Sequence, residues 1–323
     1  MSQKVVVFSQ INQKILEKLK SKYQVVIIDP KSGDINQQIL KEVKNADAMI
    51  GAGRLLNEEN LNSAEKLKII STVSVGYDNY DVSYLNQKKI WLANTPHVLT
   101  ETTADLAFTL MVSAARQVAC LDKWTKQGNW KRTVGLNEFG QDIFGKTLGI
   151  IGLGNIGSAI ARRGFHGFNM NIVYHNRSEK IELAQSLNAQ YRALDDLLAE
   201  SDFIVVTVDL NEESKALIGQ NEFERMQSHA VFVNIARGSV VDEKALIEAL
   251  KTKKIFAAGL DVYQKEPLQA SELFELDNVI TLPHIGSATE QTRYKMAELA
   301  FQNLENALEG REPKYLVNPK YNV

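Results

Sequence analysis

Short β-branched runs alternate with helically spaced apolar residues along almost the whole chain, and this alternation restricts the fold more than any other feature. The early runs are Val5 to Phe8, Val25 to Asp29, Ala48 to Gly51 and Ile69 to Val73, with spacings such as Ile11, Ile15, Leu19 between them. The pattern restarts at Thr147 to Ile151 and continues through Ile172 to Tyr174, Phe203 to Val206, Val231 to Asn234, Phe256 to Gly259 and Val279 to Leu282. Strand then helix, repeated, calls for an α/β fold of parallel sheets covered by helices. Between the two series, Thr100 to Gln127 carries neither Gly nor Pro and reads as a long helix with a break expected near Asp122. A final helix is expected from about Thr289 to Leu308. Pro96-His97 and Pro283-His284 each close a strand and lead into a long helix, and two such matching crossings suggest a nested domain. A length of 323 residues suits two domains.

The strand Thr147 to Ile151 runs into Gly152, Leu153, Gly154, Asn155, Ile156, Gly157, after which Ser158 to Arg163 continue as a helix. This is GxGxxG between a strand and a helix. The first glycine permits a tight turn, the second lets backbone approach a pyrophosphate, and the third lets helix and strand pack closely. The helix N-terminus offers free N–H groups and a positive dipole end to the phosphates. The next strand ends at Tyr174, His175, Asn176, Arg177, Ser178, without the carboxylate that would take ribose hydroxyls. Asn176, Arg177 and Ser178 instead suit a ribose 2'-phosphate, so NADP(H) is the expected preference with NAD(H) possible; a solvated strand-end arginine is the alternative.

Three polar residues follow strands of the second series: Arg237 after Val231 to Asn234, Glu266 after the strand ending at Gly259 to Val262, and His284 after Val279 to Leu282. Open α/β sheets bind ligands at that strand edge. Beside a nicotinamide cofactor the trio suits hydride transfer to a 2-keto acid. Hydride reaching the carbonyl carbon leaves charge on oxygen, so an acid must deliver a proton, and an imidazole titrates near neutral pH. His284 would be that acid, Glu266 would orient its ring, and Arg237 would hold the substrate carboxylate. Spacing alone leaves a structural histidine, a turn glutamate and a surface arginine equally open. The other histidines, His97, His166, His175 and His229, have no metal-site spacing, and no metal is expected.

These segments resemble the D-isomer-specific 2-hydroxyacid dehydrogenases. The likeness runs over nearly all the chain and rests on Gly152 to Gly157, Asn234 to Asp242 (NIARGSVVD), Gly259 to Pro267 (GLDVYQKEP) and Leu282 to Ala288 (LPHIGSA), in family order. Ser71 to Asp81, Asn94 to Thr103 and Ile150 to Gly157 are most similar to the glyoxylate/hydroxypyruvate reductase and 2-ketogluconate reductase branch. The resemblance implies a Rossmann cofactor domain, residues 98–288, inserted into a smaller flavodoxin-like domain of residues 1–97 and 289–323, with the active site in the cleft. It also implies a homodimer formed largely through Thr100 to Phe144. Arg237, Glu266 and His284 match the family's substrate arginine, orienting glutamate and acid/base histidine. Asp261 matches the residue that contacts the nicotinamide carboxamide, Val75 and Gly76 the loop whose N–H groups bind the substrate carboxylate, and Leu55 lies in the neighbouring specificity loop. Asn155, Asp209 and Ala236 depart from or vary within the family pattern near the cofactor; a carboxylate at Asp209 would weaken NADP(H) binding unless it points outward.

Composition narrows the rest. With 37 basic against 39 acidic residues, the net charge of -2 argues against nucleic acid or an anionic membrane as partner. A single cysteine, Cys120, and a start without signal-peptide character fit a reducing compartment, so a cytoplasmic location is expected. The loop Gly51, Ala52, Gly53, Arg54, Leu55, Leu56 leaves room and a donor for small hydroxylated 2-keto acids, although Arg54 reads equally as a solvated charge. Hydroxypyruvate, glyoxylate and 2-ketogluconate are therefore favoured. A D-lactate dehydrogenase is an alternative, as is a phosphoglycerate dehydrogenase, although no regulatory extension is expected after the last helix. A corepressor-like NAD(P)H sensor is the rival from another class.

Overall fold

The computed structural model describes residues 2–319. The chain divides into two units, Met1–Leu99 with Ala288–Val323 and Thr100–Ser287. The first holds strands β1 (Lys4–Val7), β2 (Gln24–Ile27), β3 (Ala48–Gly51), β4 (Ile69–Thr72) and β5 (Trp91–Ala93), all parallel, in the order β2-β1-β3-β4-β5. That is the flavodoxin-like order. On one face Val6, Phe8, Met49, Ile70 and Leu92 pack with Ile39, Val43 and Leu85. The helix Glu290–Leu308, capped by Thr289, contacts β3 and β4 and receives the Ser71 hydroxyl on its Ala300 carbonyl at 2.8 Å.

The second unit carries β6 (Thr147–Ile151), β7 (Asn171–His175), β8 (Gln190–Tyr191), β9 (Phe203–Val206), β10 (Val231–Asn234), β11 (Ala257–Leu260) and β12 (Val279–Thr281). Its parallel sheet runs β12-β11-β10-β9-β6-β7-β8, a doubly wound Rossmann arrangement that reverses direction between β6 and β9. Strands β9, β10 and β11 are buried at every residue, as a sheet covered on both faces requires. One face packs Leu110, Met111, Ile150, Ile160 and Val233; the other packs Ile204, Phe223, Phe232, Leu246 and Leu260. All strands point the same way, so the loops after β6, β10, β11 and β12 emerge along one edge.

Two expectations need correction. The long helix is two helices, Thr100–Ala115 and Val118–Lys126, bent by 61°. The break falls at Gln117, left-handed at φ +53°, rather than near Asp122. The Gln141 N–H donates to the Ala115 carbonyl at 2.8 Å, which satisfies that carbonyl from outside the helix, and the Gln117 side-chain amide donates to the Phe139 carbonyl at 2.7 Å. The sequence patterns also pass over β5 and β8, edge strands of three and two residues, too short for a period to register. Among the described residues no single helix is long and apolar enough to cross a membrane.

Candidate active site

At the end of β6, Gly152 takes φ +105°, and a Cβ there would lie 2.9 Å from Val208 and 3.0 Å from the Thr207 carbonyl carbon. The turn is closed by the Thr207 hydroxyl donating to the Gly152 carbonyl at 2.6 Å. At Gly157 a Cβ would fall 2.3 Å from the same carbonyl oxygen, so only glycine lets the helix Asn155–Phe168 sit this close. Gly154 is the opposite case: nothing lies within 4 Å of where its Cβ would be, and no side chain caps the helix it begins. Open space beside uncapped N–H groups is what a pyrophosphate needs, so the turn fits a dinucleotide. Asn155 is exposed and Ile156 half-buried beside it.

The strand-end cluster after β7 is not one uniform patch. The Asn176 carboxamide accepts from the Leu153 N–H at 2.6 Å, so Asn176 fixes the glycine turn from below. Arg177 pairs with Glu213 at 2.9 Å, and Ser178 is exposed. Asp209, on the loop after β9, is exposed as well.

At the ends of β10, β11 and β12 the second constellation assembles. Buried Asn234 shapes the first turn, accepting from the Ala236 N–H and donating to the Arg237 carbonyl, both at 3.0 Å. Arg237 is held extended, with Nη1 donating to the Ala236 carbonyl at 2.8 Å. Glu266 accepts from the Tyr263 N–H at 3.0 Å through Oε1 and meets His284 Nδ1 at 2.7 Å through Oε2. An ionised carboxylate can only accept, so Nδ1 carries the hydrogen and Nε2 is left for chemistry. Burial pushes the Glu266 carboxyl up, but the His284 bond, the Tyr263 N–H and the charges of His284 and Arg237 outweigh it and hold the group below its ordinary value.

His284 itself is left-handed, at φ +53°, a conformation uncommon for a residue with a side chain. Neighbours fix it. Asp261, 1% exposed, accepts from the Ile285 and Gly286 N–H groups at 2.7 and 2.8 Å, and the Thr103 hydroxyl donates to the Gly286 carbonyl at 3.1 Å. Burial raises the Asp261 carboxyl against the lowering effect of those two N–H groups. Tyr263 donates its hydroxyl to the Leu282 carbonyl at 2.9 Å, tying the β11 and β12 loops together. Asn234, Tyr263 and Thr103 escape sequence reasoning, because their work is done through backbone atoms that no motif spells out.

His229 pairs with Asp202 at 2.7 Å, and the Asp202 carboxylate also receives the Thr147 N–H that opens β6, so this pair lies at the opposite edge of the sheet. No group of three or more potential metal ligands occurs among the described residues. In the first unit the Ser74, Val75 and Gly76 carbonyls accept from Thr95, Asn94 and Ser74 at 2.9, 2.8 and 2.7 Å. These bonds all fall on carbonyl oxygens of the loop. Leu55 is 61% exposed, its carbonyl bonded by Asn60 at 2.9 Å.

Residues 108–286 match the family described as D-isomer specific 2-hydroxyacid dehydrogenase, NAD binding domain. The chain is similar to a glyoxylate/hydroxypyruvate reductase B of Escherichia fergusonii, 42% identical over 321 residues and 99% of each chain. A protein of the same name from an Enterobacter species is 47% identical over 280 residues, 86% of each chain. The NADPH-dependent glyoxylate/hydroxypyruvate reductase of Sinorhizobium meliloti, solved with NADP and malonate, is 31% identical with a TM-score of 0.89, covering 99% of this chain and 98% of that one. The glycine turn and the His284–Glu266 pair thus lie in a span that matches one family, and relatives continue that likeness through both units: the chain belongs to the D-isomer specific 2-hydroxyacid dehydrogenases.

Proposed function

We propose that the protein is an NADPH-dependent reductase of small 2-keto acids, hydroxypyruvate, glyoxylate and 2-ketogluconate foremost, giving D-2-hydroxy acids. The observation that carries this reading is the His284 Nδ1 to Glu266 Oε2 contact of 2.7 Å, facing Arg237 at the sheet edge that also bears the glycine turn. The names of the relatives at 42% and 47% identity point to glyoxylate and hydroxypyruvate among these. Gly152, Gly154, Asn155, Ile156 and Gly157 would hold the pyrophosphate, Arg177 and Ser178 the ribose 2'-phosphate with Asn176 beneath them, and Ala236 and Asp261 the nicotinamide end. When bound, the cofactor supplies a hydride to the substrate carbonyl carbon.

The remaining steps belong to the chain's own residues. In the second unit the Arg237 guanidinium takes the substrate carboxylate; in the first unit the Val75 and Gly76 N–H groups and Leu55 are assigned to substrate binding. His284 gives the Nε2 proton to the keto oxygen as charge builds there, and Glu266 keeps the Nδ1 hydrogen in place while the ring becomes neutral. We assign residues 98–288 to the cofactor domain and 1–97 with 289–323 to the substrate domain. Exposed Val118, Trp130, Leu136, Phe139 and Phe144 support a homodimer formed largely through Thr100 to Phe144, and a cytoplasmic location suits the lone Cys120.

The test follows absorbance of the reduced cofactor with each keto acid. NADPH is expected to give a kcat/KM about tenfold or more above NADH, the discrimination one charge-assisted phosphate contact supplies. Equal use of both would remove the cofactor preference, and no turnover of any keto acid would remove the reductase reading. Replacing Glu266 with Gln keeps a hydrogen-bond acceptor for His284 Nδ1 but removes the carboxylate charge beside the ring. The expected loss in kcat is about 10- to 100-fold. An unchanged kcat would mean that Glu266 does not act through His284.

A further inference from the structure

Arg177 follows β7 and Glu213 lies in the loop after β9, while β7 and β9 flank β6 on either side. Their 2.9 Å contact, from Nη1 to Oε2, therefore links the two loops that border the glycine turn at the end of β6. The side chains are 80% and 70% exposed. The Glu213 end is built to stay: Asn211 Oδ1 accepts from the Glu213 and Ser214 N–H groups at 2.9 and 3.0 Å, and the Ser214 hydroxyl donates to the Asp209 carbonyl at 2.6 Å. The Arg177 end is anchored by Asn176, bonded to Leu153.

We propose that Glu213 is a specificity-determining residue that competes with the ribose 2'-phosphate for Arg177, and so sets how far NADP(H) is preferred over NAD(H). This rests on the cofactor reading above. While the pair is closed, the guanidinium offers no net positive field. A 2'-phosphate, with more charge and three acceptor oxygens, can displace the carboxylate at the cost of leaving Glu213 unpaired beside it. A ribose 2'-hydroxyl carries no charge to compete, so NAD(H) meets the closed pair and neither gains nor loses by it. The bare arginine would be the stronger NADP(H) selector; the glutamate turns it down.

Calorimetric titration of the protein with adenosine 2',5'-bisphosphate and with 5'-AMP tests this without turnover. Glu213→Gln should bind the bisphosphate about three- to tenfold more tightly than wild type, the range an exposed ion pair and one like charge can supply, with 5'-AMP changed by less than about twofold. The gain should disappear when Arg177→Gln is combined with Glu213→Gln, and should shrink as salt rises. An unchanged bisphosphate affinity, a gain that survives the loss of Arg177, or an equal gain for 5'-AMP would each overturn the proposal. If wild type and Arg177→Gln alike bind the bisphosphate no better than 5'-AMP, the NADP(H) reading fails. Glu213→Gln then decides the competition by itself: an Arg177-dependent preference that appears only in the variant upholds it, and none ends it.

Discussion

Replacing His284 with asparagine is expected to lower kcat for keto-acid reduction by about 10²- to 10⁴-fold, the share of a rate that a positioned proton donor supplies. Asparagine is the informative choice because the residue stands at φ +53°, and of the ordinary side chains asparagine tolerates that region best. Alanine would mix backbone strain into the result. The effect should fall on turnover: affinity for adenosine 2',5'-bisphosphate should stay within about twofold of wild type, since the glycine turn does not involve the ring. Glu266 keeps its Tyr263 N–H partner in the variant, so the loop has one anchor left. Equal turnover by the two proteins would end the acid role of His284, even in an active enzyme.

The second large effect is expected from Gly238→Ala. A Cβ at Gly238 would lie 1.8 Å from the Tyr263 carbonyl carbon, 2.0 Å from its oxygen and 2.3 Å from the Gln264 nitrogen. All three are backbone atoms, and no rotamer change can clear them. The Tyr263 to Glu266 loop would have to move away from the Arg237 turn, and Tyr263 is the residue whose N–H fixes Glu266. We expect a loss of about 3 kcal/mol in stability, which for a domain of this size lowers Tm by roughly 6–12 °C. The surviving folded protein should show a lower kcat/KM, because Arg237 and Glu266 no longer face each other at the same distance. A thermal melt and a turnover assay at one keto-acid concentration series read both; an unchanged Tm would mean the loop steps back freely.

Sequence carried the sheets well where strands are buried on both faces. Phe203 to Val206 and Val231 to Val233 are unbroken apolar runs because helices cover them on both sides, and such runs are visible without structure. Trp91–Ala93 and Gln190–Tyr191 were hidden because an edge strand of two or three residues has no period to detect. The helix break at Gln117 lacks a Gly or Pro to announce it. Around the glycine turn, the motif displayed the backbone requirement but not the bonding of its neighbours. Asn176, read as a phosphate ligand, spends its carboxamide on Leu153, and the Glu213 that meets Arg177 lies 36 residues away in a loop without motif character. Side-chain partnerships across strands depend on sheet order, and sheet order is not written locally.

The helix Glu290–Leu308 also has a consequence for synthesis. Residues of the second unit are contiguous, Thr100–Ser287, whereas the first unit needs both chain ends. On the ribosome, β1 to β5 emerge early, yet Ser71 and Asn94 must wait for Ala300 and Asn303, which accept and donate their bonds at 2.8 and 3.1 Å. The inserted unit can close its sheet before the unit that surrounds it, so the part made first is finished last, and in the interval the exposed face of β3 and β4 is what a chaperone would meet.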